Sequence, residues 1–228
     1  MEVYRPGVEK LVLRDYAIRI VRLRYLPDLG LLWRVKLFPD SGGVPMPGLT
    51  VKDLEKLQVQ HPDYRMELVG GEIVVMSPSG YESDEVAAEI IRLLGNWVRP
   101  RRLGRVSASN AGFILPNADK DVRTPDASFV RAERLRRTTE DYAQLVPDLM
   151  FEVKSKTDSL SKLRQKIQDF LALGTQVGVL VDPRSRTMEV YRPGVEQEVL
   201  RDGDVRTVPE LLPGWELAVA EIWAPEFD

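Results

Sequence analysis

Two periodicities of apolar residues run along the chain, and together they predict short strands and two long helices. Apolar residues recur at helical spacing after residue 83, which predicts a long helix, and Ser83 is predicted to be its N-cap. A second amphipathic helix is predicted from about Ser159 to Leu173, with Gly174 as its C-cap. Strands are predicted at residues 71–77, 111–115, 126–130, 148–155 and 177–182. The order of elements indicates an α/β (α+β) fold, a mixed sheet flanked by helices with a β-hairpin tail.

The N-terminus nearly repeats a segment close to the C-terminus. Residues 1–15 and 188–202 agree at 13 of 15 positions, and each copy is predicted to form a β-hairpin around Arg-Pro-Gly. We therefore predict an N-terminal β-arm over residues 1–42 and a main domain over residues 43–228. The copy has two interpretations: a by-product of gene fusion or of a misplaced start, or an arm that adds to a sheet edge or exchanges between subunits.

Composition removes several classes of site from consideration. The 228 residues contain no cysteine and one histidine, which excludes thiolate chemistry and His-cluster metal sites and disfavours a Ser-His triad. No apolar run approaches the roughly 20 residues of a membrane span, so we expect a cytoplasmic protein without a membrane partner. The net charge of −3 implies that any contact with nucleic acid is local.

Two opposite charges interrupt the apolar strand predicted at residues 148–155. Glu152 and Lys154 share one parity and would stand about 7 Å apart on one face. Asp148 is about 13 Å from Glu152 along the strand, too far to share one ion, whereas Asp126 opens another strand and could lie beside Glu152 if the strands are neighbours. The alternatives are a solvated strand face and a cross-strand ion pair.

Two carboxylates and an ammonium indicate a specific chemistry. Asp126 and Glu152 would supply oxygen ligands for Mg²⁺, with Mn²⁺ as an alternative, because Mg²⁺ keeps several waters and takes one or two carboxylates. Lys154 would orient the attacking water or stabilise the charge that develops on phosphorus. This set suits phosphodiester hydrolysis better than glycoside hydrolysis, which uses a protonated acid and no metal.

The motif and its context resemble a known family. "PD…ExK" looks like the PD-(D/E)xK nuclease superfamily, and "MELVGGEIVVMSPSG", "RTPDASFV" and "PDLMFEVKSKTDSL" are similar to the Uma family of restriction-endonuclease-like proteins. The resemblance covers about residues 48–223. It implies a restriction-endonuclease-like core, Mg²⁺, a nucleic-acid substrate, Asp126 and Glu152 as metal ligands, and Lys154 as the catalytic lysine.

The resemblance also suggests two further catalytic candidates. Glu67 matches a family glutamate before the first strand, with a surface position as the alternative. Lys166 matches a lysine that the family often has on the last main helix, with a solvated helix face as the alternative. Ser83 departs from the pattern, because the family often has histidine there.

Two arginine-rich runs could follow a phosphate backbone. The first supplies the predicted nucleic-acid-binding residues Arg101, Arg102 and Arg105, and the second spans residues 131–137. Ordinary arginine-rich surface is the alternative for both runs.

The sequence thus predicts a Mg²⁺-dependent endonuclease-like hydrolase acting on nucleic acid, with DNA favoured. We expect a homodimer by analogy with enzymes that cut both strands of a duplex. The alternative is a nuclease fold that has lost catalysis and binds nucleic acid or a protein partner.

Overall fold

The structure is a computed structural model that describes residues 11–13, 16–21 and 33–37 as backbone strands, and residues 48–227 throughout. The hairpin predicted for residues 1–15 therefore lies largely outside the described residues. In the described part of the chain, no helix is long and apolar enough to cross a membrane.

The described residues form three α-helices, one short 3₁₀ helix and fifteen strands. The helices are α1 (Val51–Gln60), α2 (Tyr81–Arg101) and α3 (Leu160–Ala172), with the 3₁₀ helix at Val219–Ile222. The strands are β1 (Leu11–Leu13), β2 (Tyr16–Val21), β3 (Trp33–Leu37), β4 (Arg65–Val69), β5 (Glu72–Met76), β6 (Gly104–Ala108), β7 (Phe113–Ile114), β8 (Val122–Arg123), β9 (Ala127–Arg131), β10 (Leu149–Val153), β11 (Val177–Asp182), β12 (Thr187–Arg192), β13 (Val195–Leu200), β14 (Val205–Thr207) and β15 (Glu216–Ala218).

The chain divides into two compact units. The first comprises residues 1–77 and 117–122, and the second comprises residues 78–116 and 123–228. This division follows spatial contacts, and the arm boundary predicted at residue 42 stays a prediction.

The first unit contains an antiparallel sheet in the order β1-β2-β3-β5-β4. The described strands of the arm thus continue the sheet from the edge of β5. A two-glycine turn joins β4 to β5, and Gly70 and Gly71 both have positive φ, which only glycine adopts without strain. Helix α1 packs on β4 and begins with a capping box, in which Thr50 N and Oγ1 both donate to Asp53 Oδ2, at 2.9 and 2.7 Å.

The second unit is built on a six-stranded sheet in the order β13-β12-β11-β10-β9-β6. Strands β10 and β11 are parallel, joined through α3, and the other neighbours are antiparallel. Alternate residues of β10 face opposite layers. Leu149, Phe151 and Val153 pack in the core that contains α2, whereas Met150 packs in the core that contains α3. The predicted mixed sheet with helices on its faces is confirmed, and β12 with β13 forms the predicted hairpin of the tail.

One predicted helix start is wrong. Helix α2 begins at Tyr81 with Gly80 as its N-cap, so Ser83 lies inside the first turn rather than at the cap. The Ser83 hydroxyl donates to Gly80 O at 2.9 Å. The serine therefore satisfies a main-chain carbonyl instead of a main-chain N–H, and the helix starts three residues earlier than a Ser83 N-cap predicts.

Candidate active site

Asp126 and Glu152 lie at one end of the six-stranded sheet. The antiparallel register pairs Ala127 of β9 with Phe151 of β10, so Asp126, directly before β9, lies at the end of β10 that carries Glu152. Asp126 N donates to Phe151 O at 3.0 Å, and Asp126 Oδ2 accepts from Val153 N at 2.8 Å. The main chain of β10 therefore holds the Asp126 carboxylate beside Glu152.

Glu152 is buried and forms an ion pair with Lys166 of α3. The side chains are 3 % and 10 % exposed, and Lys166 Nζ lies 2.9 Å from Oε1 and 3.1 Å from Oε2 of Glu152. The contact to Oε2 has hydrogen-bond geometry, and the ammonium also donates to Thr124 O at 3.1 Å. The solvated helix face considered for Lys166 is therefore wrong. The lysine supplies the compensating charge that a buried carboxylate requires.

Helix α3 brings Lys166 to this position through its packing on β10 and β11. Ile167, Phe170 and Leu171 are buried in the core on that face of the sheet. Gly178 of β11 leaves room for Ile167, because a Cβ at residue 178 would overlap Ile167 Cγ2. The close approach of helix and sheet turns Lys166, next to Ile167, onto Glu152.

Lys154 follows the last residue of β10 and lies at the same end of the sheet. Its N–H donates to Val181 O at 2.8 Å, which continues the pairing with β11. Its half-buried ammonium donates to Ser155 O at 3.1 Å. Of the two predicted catalytic lysines, Lys166 is therefore the one whose ammonium contacts Glu152, and the catalytic role of Lys154 stays a prediction.

Glu67 lies on β4 in the first compact unit. It pairs with Val74 of β5 and is 5 % exposed, so the surface position considered for it is wrong. A buried carboxylate on a strand needs a polar partner, and Glu67 has one. Its catalytic role stays a prediction.

Another buried carboxylate, Asp148, lies at the opposite end of β10 from Glu152. It is fully buried, and its Oδ1 contacts Arg131 Nε at 3.0 Å, Arg134 Nη1 at 2.9 Å and Gln176 Nε2 at 3.1 Å. Two arginines from the second arginine-rich run are thus internal partners of Asp148. The sequence predicts the distance between Asp148 and Glu152, but the arginine partners of Asp148 depend on the pairing of β9 with β10.

A third carboxylate shares the cross-strand row of Glu152. Glu152 pairs with Leu180 of β11, and Leu180 pairs with Glu189 of β12. Arg164 of α3 binds Glu189 through two bonds, 2.9 and 2.6 Å long, and the Tyr191 hydroxyl also donates to Glu189.

The Glu189 cluster shifts the acidity of its members. The Arg164 guanidinium is the main cause that lowers the pKa of Glu189. Burial, followed by the Glu189 carboxylate, raises the pKa of Tyr191 to about 12. The sequence carried no signal for this cluster beyond the charged residues themselves, because their contacts depend on the pairing of β11 with β12.

The three predicted nucleic-acid-binding arginines lie near the other end of β9. Gly104 and Arg105 pair with Arg131 and Val130, the last residues of that strand. Arg105 donates to Leu135 O at 2.9 Å and to Arg136 O at 3.0 Å. The Arg101 guanidinium lies 3.5 Å from the centroid of the Trp97 ring. Arg102 is exposed and ends α2 with a positive φ. Val130, the partner of Arg105, is four residues from Asp126, about 13 Å along β9.

The donor set of the pair fits a hard divalent cation with several water ligands. No group of three or more His, Cys, Asp and Glu residues that could hold a metal occurs within the described residues. Asp126 and Glu152 together provide two carboxylates at one end of the sheet, and Mg²⁺ is held in proteins by one or two carboxylates with waters completing its shell. The pair is therefore sufficient in kind and number, although the Lys166 ammonium already offsets one negative charge.

Comparisons with known proteins agree with this architecture. A crystal structure of a "putative nuclease belonging to DUF820" from Anabaena variabilis ATCC 29413 superposes with a TM-score of 0.66 and 24 % identity, over 76 % of this chain and 97 % of that chain. At this identity the likeness shows the fold alone. A search of the curated proteins gave no match. Residues 51–220 match the family model Uma2, described as "Putative restriction endonuclease", and the chain therefore belongs to the Uma2 family.

Proposed function

We propose that the protein is a metal-dependent nuclease that hydrolyses phosphodiester bonds in DNA. Its family and nuclease-like fold support a nuclease. The observation that carries the proposal is that the main chain of β10 binds Asp126 next to Glu152 at one end of the sheet, with a buried lysine on Glu152. Phosphodiester hydrolysis needs oxygen ligands and positive charge at one place, and this end of the sheet provides both.

In this proposal Asp126 and Glu152 would hold Mg²⁺. A bound Mg²⁺ would lower the pKa of a water ligand and neutralise charge on the phosphate. The bond from Val153 N fixes the orientation of the Asp126 carboxylate before substrate arrives. Lys166 compensates the charge of Glu152 and holds its carboxylate toward α3. Lys154, at the end of β10, would exchange its bond with Ser155 O for a water or a phosphate oxygen.

The direct test is cleavage of supercoiled plasmid DNA in Mg²⁺ by the wild-type protein, Asp126→Asn and Lys154→Ala. We expect nicked or linear product from the wild type and a loss of at least about 100-fold in both variants, the scale on which a general acid–base or electrostatic contribution acts. Cleavage that persists in both variants contradicts the assignment. Parallel assays with RNA and with nucleotide phosphoesters compare the substrate classes.

A second candidate function is a nucleic-acid- or protein-binding module without catalysis. One observation favours it: the Lys166 ammonium already contacts both oxygens of Glu152, as a substitute for a metal would. Titration calorimetry with Mn²⁺ separates the candidates, because a nuclease site binds the ion and a module that has lost catalysis does not. If the enzyme cuts both strands, we propose that two copies act as a homodimer, which analytical ultracentrifugation with and without duplex DNA tests.

A further inference from the structure

The two ends of strands β9 and β10 differ in their cationic residues: arginines lie at one end and lysines at the other. Because β9 and β10 are antiparallel, Asp126 before β9 and Lys154 after β10 lie at one end, which we call the site end. Arg131 and Asp148 lie at the other, which we call the arginine end. The two ends are about 17 Å apart at the rise of a strand, and they face opposite directions along it. A phosphate held beside Asp126 and Glu152 is thus approached from the site end.

At the arginine end, most of the charged groups already have internal partners. Arg131 and Arg134 bind the buried Asp148, and the Arg105 guanidinium binds two main-chain carbonyls of the 135–136 segment. Arg101 lies over Trp97. The Arg105 bonds join β6 to the segment after β9, and Arg131 and Arg134 join that segment to Asp148, so these three arginines have a structural role whether or not nucleic acid is bound.

Two exposed lysines follow β10 in the chain, at the site end of the sheet. Lys156 lies in the loop between β10 and α3, and Lys162 lies in the first turns of α3. Neither lysine forms an ion pair with any residue in the described part of the chain. The nearby acid, Asp158, accepts from Ser155 N at 2.8 Å and so serves the turn.

The helix brings Lys162 close to the candidate site. Lys162 is one turn before Lys166 on the same side of α3, about 6 Å along the axis. Since α3 connects the parallel strands β10 and β11, it runs back against them, and its first turns lie at the site end. Lys166 reaches Glu152, so Lys162 lies one turn nearer the solvent in front of the pair.

We propose that Lys156 and Lys162 bind the phosphate backbone of the nucleic acid on either side of the cleaved bond, and that Arg101, Arg102 and Arg105 do not. The inference rests on the proposed nuclease function and gives it a binding surface. Both lysines are exposed point charges, which suit phosphate contacts without base recognition. The surface would therefore add affinity for any DNA sequence alike.

The test measures binding of a fluorescently labelled DNA duplex in EDTA, where no cleavage occurs, at several salt concentrations. We expect Lys156→Ala and Lys162→Ala each to reduce the steepness of log K, the association constant, against log salt concentration by about one. Each should also weaken binding about five-fold near physiological salt. Lys156→Arg should restore binding. Arg101→Ala and Arg102→Ala are the matched controls, because each also removes one charge, and both should leave slope and affinity unchanged.

The outcomes separate this inference from the proposed function. If the wild type cleaves DNA but both lysine variants keep the wild-type slope, or if the arginine controls lower the slope instead, the inference is overturned and the nuclease function stands. If the wild type neither cleaves nor binds DNA, the proposed function fails and the inference with it. Circular dichroism of each variant checks that these surface substitutions leave the fold intact.

Discussion

Lys166 Nζ lies 2.9 Å from Glu152 Oε1, and both side chains are buried, so helix α3 supplies the charge that balances a carboxylate inside the sheet. An ion pair of this kind is costly to break because one charge would remain buried without its partner. The relationship makes Lys166 important for folding as well as for the candidate site. It also separates the lysine in contact with Glu152 from Lys154, whose ammonium is bound to Ser155 O.

Removing one partner of this pair should destabilise the protein strongly. We expect Lys166→Met to lower the free energy of unfolding by about 3–5 kcal/mol, because Glu152 is left with an uncompensated buried charge. The double variant Lys166→Met with Glu152→Gln should recover much of that loss. Urea denaturation measures both. A loss below about 1 kcal/mol in the single variant would show that the pair is not buried in solution.

Asp126→Asn should separate metal binding from folding. An asparagine oxygen can still accept the bond from Val153 N, so the end of β10 keeps its contact while the negative charge is lost. We expect Mn²⁺ affinity, measured by calorimetry, to fall at least about ten-fold, with the thermal midpoint nearly unchanged. Asp204→Asn is the control, because Asp204 similarly accepts from Arg201 N at 2.7 Å in the tail. Equal Mn²⁺ affinity in both variants would exclude Asp126 as a ligand.

The sequence predicted most of the fold because its periodicities report which face of each element is buried. The alternation through Leu149, Phe151 and Val153 identified β10, and helical spacing identified α2 and α3. The proximity of Asp126 to Glu152 was a hypothesis about strand neighbours. The strands are neighbours, and the Asp126 carboxylate accepts a bond from Val153 N, next to Glu152. Their catalytic roles stay predictions.

Other features depend on partners that no local pattern reveals. Lys166 is next to the buried Ile167, and periodicity alone cannot tell that the sheet facing it presents a carboxylate. The two arginine-rich runs cannot be distinguished by their charge in the sequence. Arg131 and Arg134 are nevertheless partners of Asp148, and this contact requires the pairing of β9 with β10. Whether a charged residue is buried thus depends on the helix or sheet that packs against it, and the residues of that element are distant in the sequence.

The Glu189 cluster should contribute to stability at neutral pH and lose this contribution in acid. Arg164 is the main cause that holds the pKa of Glu189 below 4.5, so the unfolded chain takes up the proton first as the pH falls. Stability from this group is therefore present above about pH 4.5 and is lost as the pH drops through the folded pKa. Glu189→Gln should flatten the acid limb of a stability–pH curve. Glu196→Gln, an exposed position on β13, should leave that limb as steep as in the wild type.

The protein should also lose stability at alkaline pH, because of Tyr191 in the Glu189 cluster. The pKa of Tyr191 is raised from 10.0 to about 12, first by burial and then by Glu189. Between these values the unfolded chain releases the phenolic proton and the folded chain retains it, so stability falls as the pH rises from 10 to 12. The difference between wild type and Tyr191→Phe in free energy of unfolding should shrink over this interval. Tyr81→Phe, an exposed position, should show no such trend, and a constant Tyr191 difference would contradict the prediction.

The contact of Gly178 with Ile167 offers a way to move α3 without touching a charged residue. A Cβ at residue 178 would overlap Ile167 Cγ2, so Gly178→Ala should push the helix away from β11 and lower the free energy of unfolding by about 1–3 kcal/mol. Because Lys166 follows the helix, Mn²⁺ affinity should change as well.

Ile167→Ala removes the methyl group that Gly178→Ala would strike, and the pair of substitutions should therefore be coupled. We expect the double variant to be more stable than the sum of the single losses predicts, with Mn²⁺ affinity moving back toward that of the wild type. Additive losses in stability would mean that the helix does not press on β11 at Gly178. If stability recovers while Mn²⁺ affinity never varies across the four proteins, the helix position does not control the carboxylate pair, and Lys166 would then act on Glu152 only as a stabilising charge.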